Sequence, residues 1–246
     1  MGYFEKITPL ELEDVASSYV YDTDLFRSFE KRIWSDIRNY GGDYGHTISE
    51  HLGRTSSALA SSMTYSKWFD HGLIRNIGEA FRNHDAGKIL QDAMIYNLPN
   101  KPDQMVLDER KMHVFLGEDL LNSYLDTEEF RHLSGHPHLS VTECIMRHHH
   151  ERINGTGPVG LEGDELGELT EIIGIIDSVD GKAIPRANRT KSMAECFREM
   201  TGLSIYTDQT KHKGEFRHEL LVNIAEFLDP TTFPPGIRAK SGLAFA

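Results

Sequence analysis

The chain has 246 residues, 39% of them hydrophobic, and its 26 Lys and Arg against 38 Asp and Glu leave a net charge of −12. That length and apolar content suffice for one sizeable core, and the acidic balance argues against a general nucleic-acid binder, which needs basic surface to displace counterions from phosphates. The two cysteines, Cys144 and Cys196, stand far apart and suggest neither a disulfide framework nor a thiolate zinc site, so a reducing compartment fits.

Residues 1 to 40 read as helical, with Leu10, Leu12 and Val15, then Leu25, Phe26, Phe29, Ile33, Trp34 and Ile37 at roughly helical intervals. They are expected to form an N-terminal helical cap over residues 1–45. The first ten residues lack the apolar core of a signal peptide, and Lys6 stands where a myristoylation motif wants Ser or Thr. Gly41-Gly42-Asp43-Tyr44-Gly45 breaks the pattern, and a helix carrying His51 and Arg54 one turn apart is expected to restart near Thr47. Another, from about Trp68 to Asn83, should end at the adjacent His84 and Asp85, and Asp92 to Asp103, marked by Pro99 and Pro102, reads as a loop.

The next helix holds Glu109, His113 and Gly117, four apart and so on one face, with Gly117 letting a second helix come close. Pro137 opens a helix running to His150, after which Asn154 to Pro158 is a turn or loop. Glu165 to Asp180 is a further helix, apolar through Leu169, Ile172, Ile173 and Ile176, and two shorter ones follow near Ser192 to Met200 and Phe216 to Phe227. The longest apolar run, Ile172 to Ile176, is interrupted by Gly174 and far too short to span a membrane. Nothing alternates as a strand and there is no internal repeat. The predicted class is all-α, and a cytoplasmic location without membrane contact is expected.

His84 and Asp85 are the candidate chemistry. Adjacent imidazole and carboxylate can take one divalent ion, the second carboxylate oxygen reaching a neighbouring metal; the bland alternative is a polar helix end with a capping Asp. The pair gains weight from its company, because His51, His113, His149, His150 and Asp177 lie at intervals that bring further ligands to one place. Imidazole and carboxylate without thiolate suit iron, manganese, zinc or nickel. Seven other histidines, His46, His71, His132, His136, His138, His212 and His218, belong to no motif and are expected at the surface, with His148 solvated or behind the ligands. Arg152 is expected to brace Glu151 or another carboxylate.

Several ordered motifs carry a family likeness. His84-Asp85-Ala86-Gly87-Lys88-Ile89, then Glu109, His113 and Gly117, then His149-His150-Glu151-Arg152 with Gly155 and Gly157-Pro158, then Asp177 and Asp180, then Arg186 and Arg189, and finally Gly214, Phe216 and Leu220 fall in the order and spacing of an HD-GYP domain. Over residues 46–228 the chain resembles that branch of the HD metal-dependent phosphohydrolases, which degrades cyclic di-GMP in bacteria; residues 229–246 would be a C-terminal tail. It departs from the family at the signature tyrosine, absent between Gly157 and Pro158, at Asp92 and Leu98 in place of a proline and a lysine, and at Thr47, where members with a third metal have glutamate.

The resemblance implies an HD-type helical bundle with a two-metal site in its core, iron or manganese first. His51, His84, Asp85 and Asp177 would hold one ion and Asp85, His113, His149 and His150 the other, with Asp85 bridging. Two ions about 3.5 to 4 Å apart activate a bridging hydroxide for in-line phosphoryl displacement, so the implied activity is hydrolysis of cyclic di-GMP to linear pGpG, GMP or both. Asp85 and Lys88 would be catalytic, Lys88 also meeting a phosphate oxygen; Arg186 and Arg189 would clamp the second phosphate or a guanine edge, and Gly155 and Gly157 would give a flexible substrate lip. The alternatives are an HD-type phosphohydrolase of another nucleotide or cyclic dinucleotide, and a catalytically weak nucleotide-sensing module. A homodimer or a regulatory protein partner is compatible with either.

Overall fold

The computed structural model describes residues 2–66, 69–98, 100–184, 191–201 and 214–228. The class is all-α: α1 Leu12–Ser17, α2 Thr23–Asn39, α3 Asp43–Ser66, α4 His71–Phe81, α5 Gln104–Lys111, α6 His113–Leu125, α7 Pro137–His148, α8 Gly167–Ala183, α9 Met193–Met200 and α10 His218–Leu228, with short 3-10 turns between. Among the described residues the only extended pairing is an isolated antiparallel bridge between Asn154 and Glu162.

Local chemistry sets the helix ends. Asp22, Asp70 and Asp103 cap α2, α4 and α5 by accepting backbone N–H bonds, Ser192 and Glu195 form a capping box on α9, and Pro137 occupies the first turn of α7. Between α2 and α3 the chain turns on Gly41 and Gly42, whose φ of 60° and 65° only glycine adopts without strain. Helix α3 starts at once at Asp43, four residues before Thr47, whose hydroxyl donates back to the Asp43 carbonyl (3.1 Å). The division drawn at residue 45 therefore falls inside α3.

Two apolar clusters form the interior. One joins Phe26, Phe29, Ile33 and Ile37 of α2 to Leu52, Leu121 and Met146; the other joins Leu59, Met63, Ile77 and Phe81 to Ile145, Ile173, Val179 and Phe197. Each large side chain so buried contributes roughly 1.5–3 kcal/mol. The α2 residues that seed the first cluster thus share a core with α3, α6 and α7. Helices α3 and α7 contribute to both clusters.

Three expectations change. The helix drawn through Glu109, His113 and Gly117 is broken at Met112 into α5 and α6, so Glu109 is exposed while His113 and Gly117 are buried. Gly117 does permit close approach, but on two sides: a Cβ there would press Met146 Sδ at 2.8 Å, and a Cβ on Gly87 would run into the backbone of His113 and Gly117. His138 is not at the surface but 1% exposed, its Nδ1 2.9 Å from the Tyr19 hydroxyl and its ring packed against Tyr21 and Phe26.

Beside His138 lies Glu30, which accepts from Asn83 Nδ2 at 3.1 Å and stands 4.0 Å from His138 Nε2. Burial pushes its carboxyl up to about 7 from an ordinary 4.5. The folded form thus holds the proton more tightly than the unfolded chain, so stability falls as pH rises across that window, by roughly 3 kcal/mol once Glu30 is ionised. Glu30→Gln is expected to raise the melting temperature at pH 8 and to converge with wild type near pH 5; an equal gain at both pH values would assign the effect to packing.

Candidate metal centre

Three helix C-termini deliver imidazoles to one place. His84 follows the end of α4, His113 follows α5 across Met112, and His149 is the C-cap of α7. Each uses Nδ1 to donate to a carbonyl in the last turn it follows: His84 to Phe81 O (2.8 Å), His113 to Arg110 O (2.5 Å), His149 to Met146 O (2.8 Å). A carbonyl can only accept, so these bonds fix the tautomer and leave Nε2 as a bare acceptor. His51, on α3, is set the same way by Asp180, whose Oδ2 lies 2.6 Å from its Nδ1. Arg54 in turn grips Asp180 with two bonds of 2.9 Å.

These Nε2 atoms converge on two buried carboxylates. His113 Nε2 lies 3.1 Å from Asp85 Oδ1 and 3.3 Å from His149 Nε2, which is itself 3.6 Å from Asp85 Oδ1. On the other side His51 Nε2 and His84 Nε2 lie 3.1 and 3.4 Å from Asp177 Oδ1 and 3.6 and 3.8 Å from Asp85 Oδ2. His150 Nδ1 is 3.5 Å from Asp177 Oδ2. The side chains form two groups, Asp85 with His113, His149 and His150, and His51 with His84 and Asp177, each able to hold a metal ion.

Acceptors facing acceptors need a cation between them. His84 Nε2 and Asp85 Oδ1 are buried without any hydrogen-bond partner, a costly arrangement that a metal ion relieves. Burial holds His113, His149 and His150 below the ordinary imidazole range, the neutral form a metal requires. For Asp85 burial works the other way, yet Lys88 and the imidazoles keep it well below the carboxylate range; His51 and His84 do the same for Asp177. His51 alone is driven up, to about 9, because Asp177, Asp180 and Asp85 outweigh its burial. Binding a cation there displaces that proton. The C-termini of α4 and α7 add partial negative charge.

The cluster opens where His150 (27% exposed) and Lys88 (16%) lie; His84 and His149 are sealed. Lys88 Nζ is bonded to Asp85 Oδ2 and faces the Tyr96 ring at 5.7 Å; Tyr96 stacks on Tyr44 at 4.8 Å. Neither tyrosine was singled out in the sequence, since nothing in their spacing distinguishes them from core aromatics.

Other expectations resolve differently. His148 is 6% exposed, its Nδ1 donating to Cys144 O, and burial lowers it to about 4; it is neither solvated nor behind the ligands but points to another face of α7. Arg152 braces two backbone carbonyls and a hydroxyl rather than a carboxylate, donating to His149 O, Glu151 O and Ser178 Oγ. The loop expected to be a free lip is anchored. Glu151, 1% exposed, accepts the N–H groups of Val159, Gly160 and Leu161 at 2.8–2.9 Å, and Gly155 and Gly157 serve close approach, a Cβ on either striking Glu162 or Glu151. Arg186, Arg189, His212 and residues 229–246 lie outside the described residues.

Fold and site together define an all-α protein with a buried histidine and aspartate cluster able to bind metal ions. Compared with family models the chain matches none, and compared with curated proteins it matches none. No helix of the described residues is long and apolar enough to cross a membrane.

Residues that orient a metal ligand through its second nitrogen typically matter 10–100-fold in affinity. Asp180→Asn is therefore expected to weaken binding at the His51 group by about that factor while the His113 group keeps its affinity, measured by competition with a chromophoric chelator. Equal loss at both groups would indicate a general folding defect.

Proposed function

We propose that the chain is a metal-dependent phosphodiesterase of the HD-GYP kind, hydrolysing cyclic di-GMP to linear pGpG, GMP or both. The observation that supports it best is the double acceptor cluster around Asp85, whose two oxygens face different groups of imidazoles. Two divalent ions fit there, Asp85 shared between them. The donor set suits iron or manganese, with zinc and nickel also compatible. Bound there, such ions supply Lewis acidity and a water of lowered pKa.

The chain's own groups do the rest. Lys88 neutralises Asp85 in the free protein and stands at the open side, where its ammonium can turn to a non-bridging phosphate oxygen. His150, the most exposed of the ligand set, marks the direction of approach. Carbonyl bonds to Nδ1 prevent His84, His113 and His149 from rotating, so the site is preorganised and pays little reorganisation during reaction. Arg186 and Arg189 complete the reading as clamps for the far phosphate or a guanine edge. The chemistry is equally suited to another nucleotide or cyclic dinucleotide, and a sensing module would keep the same ligands with little turnover.

Anaerobically prepared protein is expected to carry two transition-metal ions per chain, and Asp85→Ala to lose them; one ion or none by elemental analysis would count against the binuclear reading. Incubation of metal-loaded protein with cyclic di-GMP, other cyclic dinucleotides and mononucleotides, read by chromatography, separates the substrates. Lys88→Ala should keep its metal and lose roughly 10²–10³ in rate. Tight binding with no product under any metal would favour a sensor.

A further inference from the structure

On another face of α7 from the metal cluster is a cavity of about 340 Å³ between the N-terminal segment, α7 and the turn before α8. Ile7, Leu10 and Leu161 give it apolar walls, and Leu10 lies 62% exposed at the rim, an apolar side chain without cover. Three polar groups line it from α7, Glu143, Arg147 and His148. Glu143 is 2% exposed, and its Oε1 has no hydrogen-bond partner. Its nearest cation, Arg147 Nη1, stays at 3.7 Å, and Arg147 also leans on Glu118, as Lys6 does at 2.6 Å. His148 donates from Nδ1 to Cys144 O, which leaves Nε2 an acceptor with no partner among the described residues.

A buried carboxylate oxygen and a bare imidazole nitrogen are both acceptors, so what they lack is a donor. An anion would meet them with repulsion, and a wholly apolar molecule would leave Glu143 unsatisfied at a cost. Locally, Glu118, Glu143 and Glu165 against Lys6 and Arg147 leave one net negative charge. We propose that this cavity is a binding site for a small apolar molecule bearing a primary ammonium group, the ammonium set on Glu143 and the apolar body on Ile7, Leu10 and Leu161. The size falls within the usual range of small-molecule pockets, as does the pattern of apolar walls with few convergent polar groups. Neither the metal ligands nor Lys88 take part, so the site stands or falls apart from the proposed activity.

The test uses the full-length protein with methyl-labelled isoleucine and leucine, titrated with 2-phenylethylamine, 2-phenylethanol and 3-phenylpropionate and read by NMR. The amine is expected to shift the methyls of Ile7, Leu10 and Leu161 saturably, the alcohol to bind at least tenfold more weakly, and the propionate not at all. Glu143→Gln, its fold checked by melting temperature, should weaken the amine at least tenfold and bring it level with the alcohol. Should that variant fail to fold, Leu161→Trp, which fills the cavity, should abolish the shifts. No saturable shift with the amine, equal binding of the propionate, or full affinity in a folded Glu143→Gln or Leu161→Trp variant would overturn the proposal.

Discussion

Buried lone pairs pointed at one another are the constraint on which this structure turns. Nε2 atoms of four histidines and the oxygens of Asp85 and Asp177 meet in a space where, among the described residues, the donors are the Lys88 ammonium and the His51 proton. Such an arrangement is unfavourable in an apolar interior, and it persists because the surroundings are overdetermined. Helices α3 and α7 are each anchored in both apolar clusters, so their polar residues cannot withdraw without opening the core. Gly87 and Gly117 bring the turn after Asp85 directly against α6, a contact that any side chain would prevent.

The all-α class and most helices were legible in the sequence because apolar spacing and Pro137 act locally, whereas the cap at Asp70 that starts α4 was not read. The seven residues proposed as ligands were named from motif order, and the structure brings all seven within two adjoining groups. What was not legible depends on tertiary surroundings. Nothing in the sequence distinguishes His138, enclosed by aromatic rings, from His132, which is exposed. Position four residues apart put Glu109 on the face of His113, but the break at Met112 rotates it outward, and no breaker residue announces that break. Asp180 was noted only as the second of two aspartates; its grip on His51 from 129 residues away is a long-range fact. Gly155 and Gly157 suggested freedom, whereas Gly157 makes room for the Glu151 carboxylate held by three backbone amides and Gly155 for Glu162.

The bonds from Nδ1 to Phe81 O, Arg110 O and Met146 O have a second consequence. The last carbonyls of a helix lack the usual intrahelical partner, and here an imidazole satisfies Met146 O at the end of α7 and others add a second bond to Phe81 O and Arg110 O, which also accept from the His84 and Met112 backbone N–H groups. Each ligand is therefore also a cap. Replacing one with a residue lacking a ring N–H removes both a candidate ligand atom and a bond to a helix end, so ligand loss and local fraying are most closely coupled at His149. An ion held there would act as a clasp across three chain segments, and its departure would be felt first at those termini while the two apolar clusters stay closed.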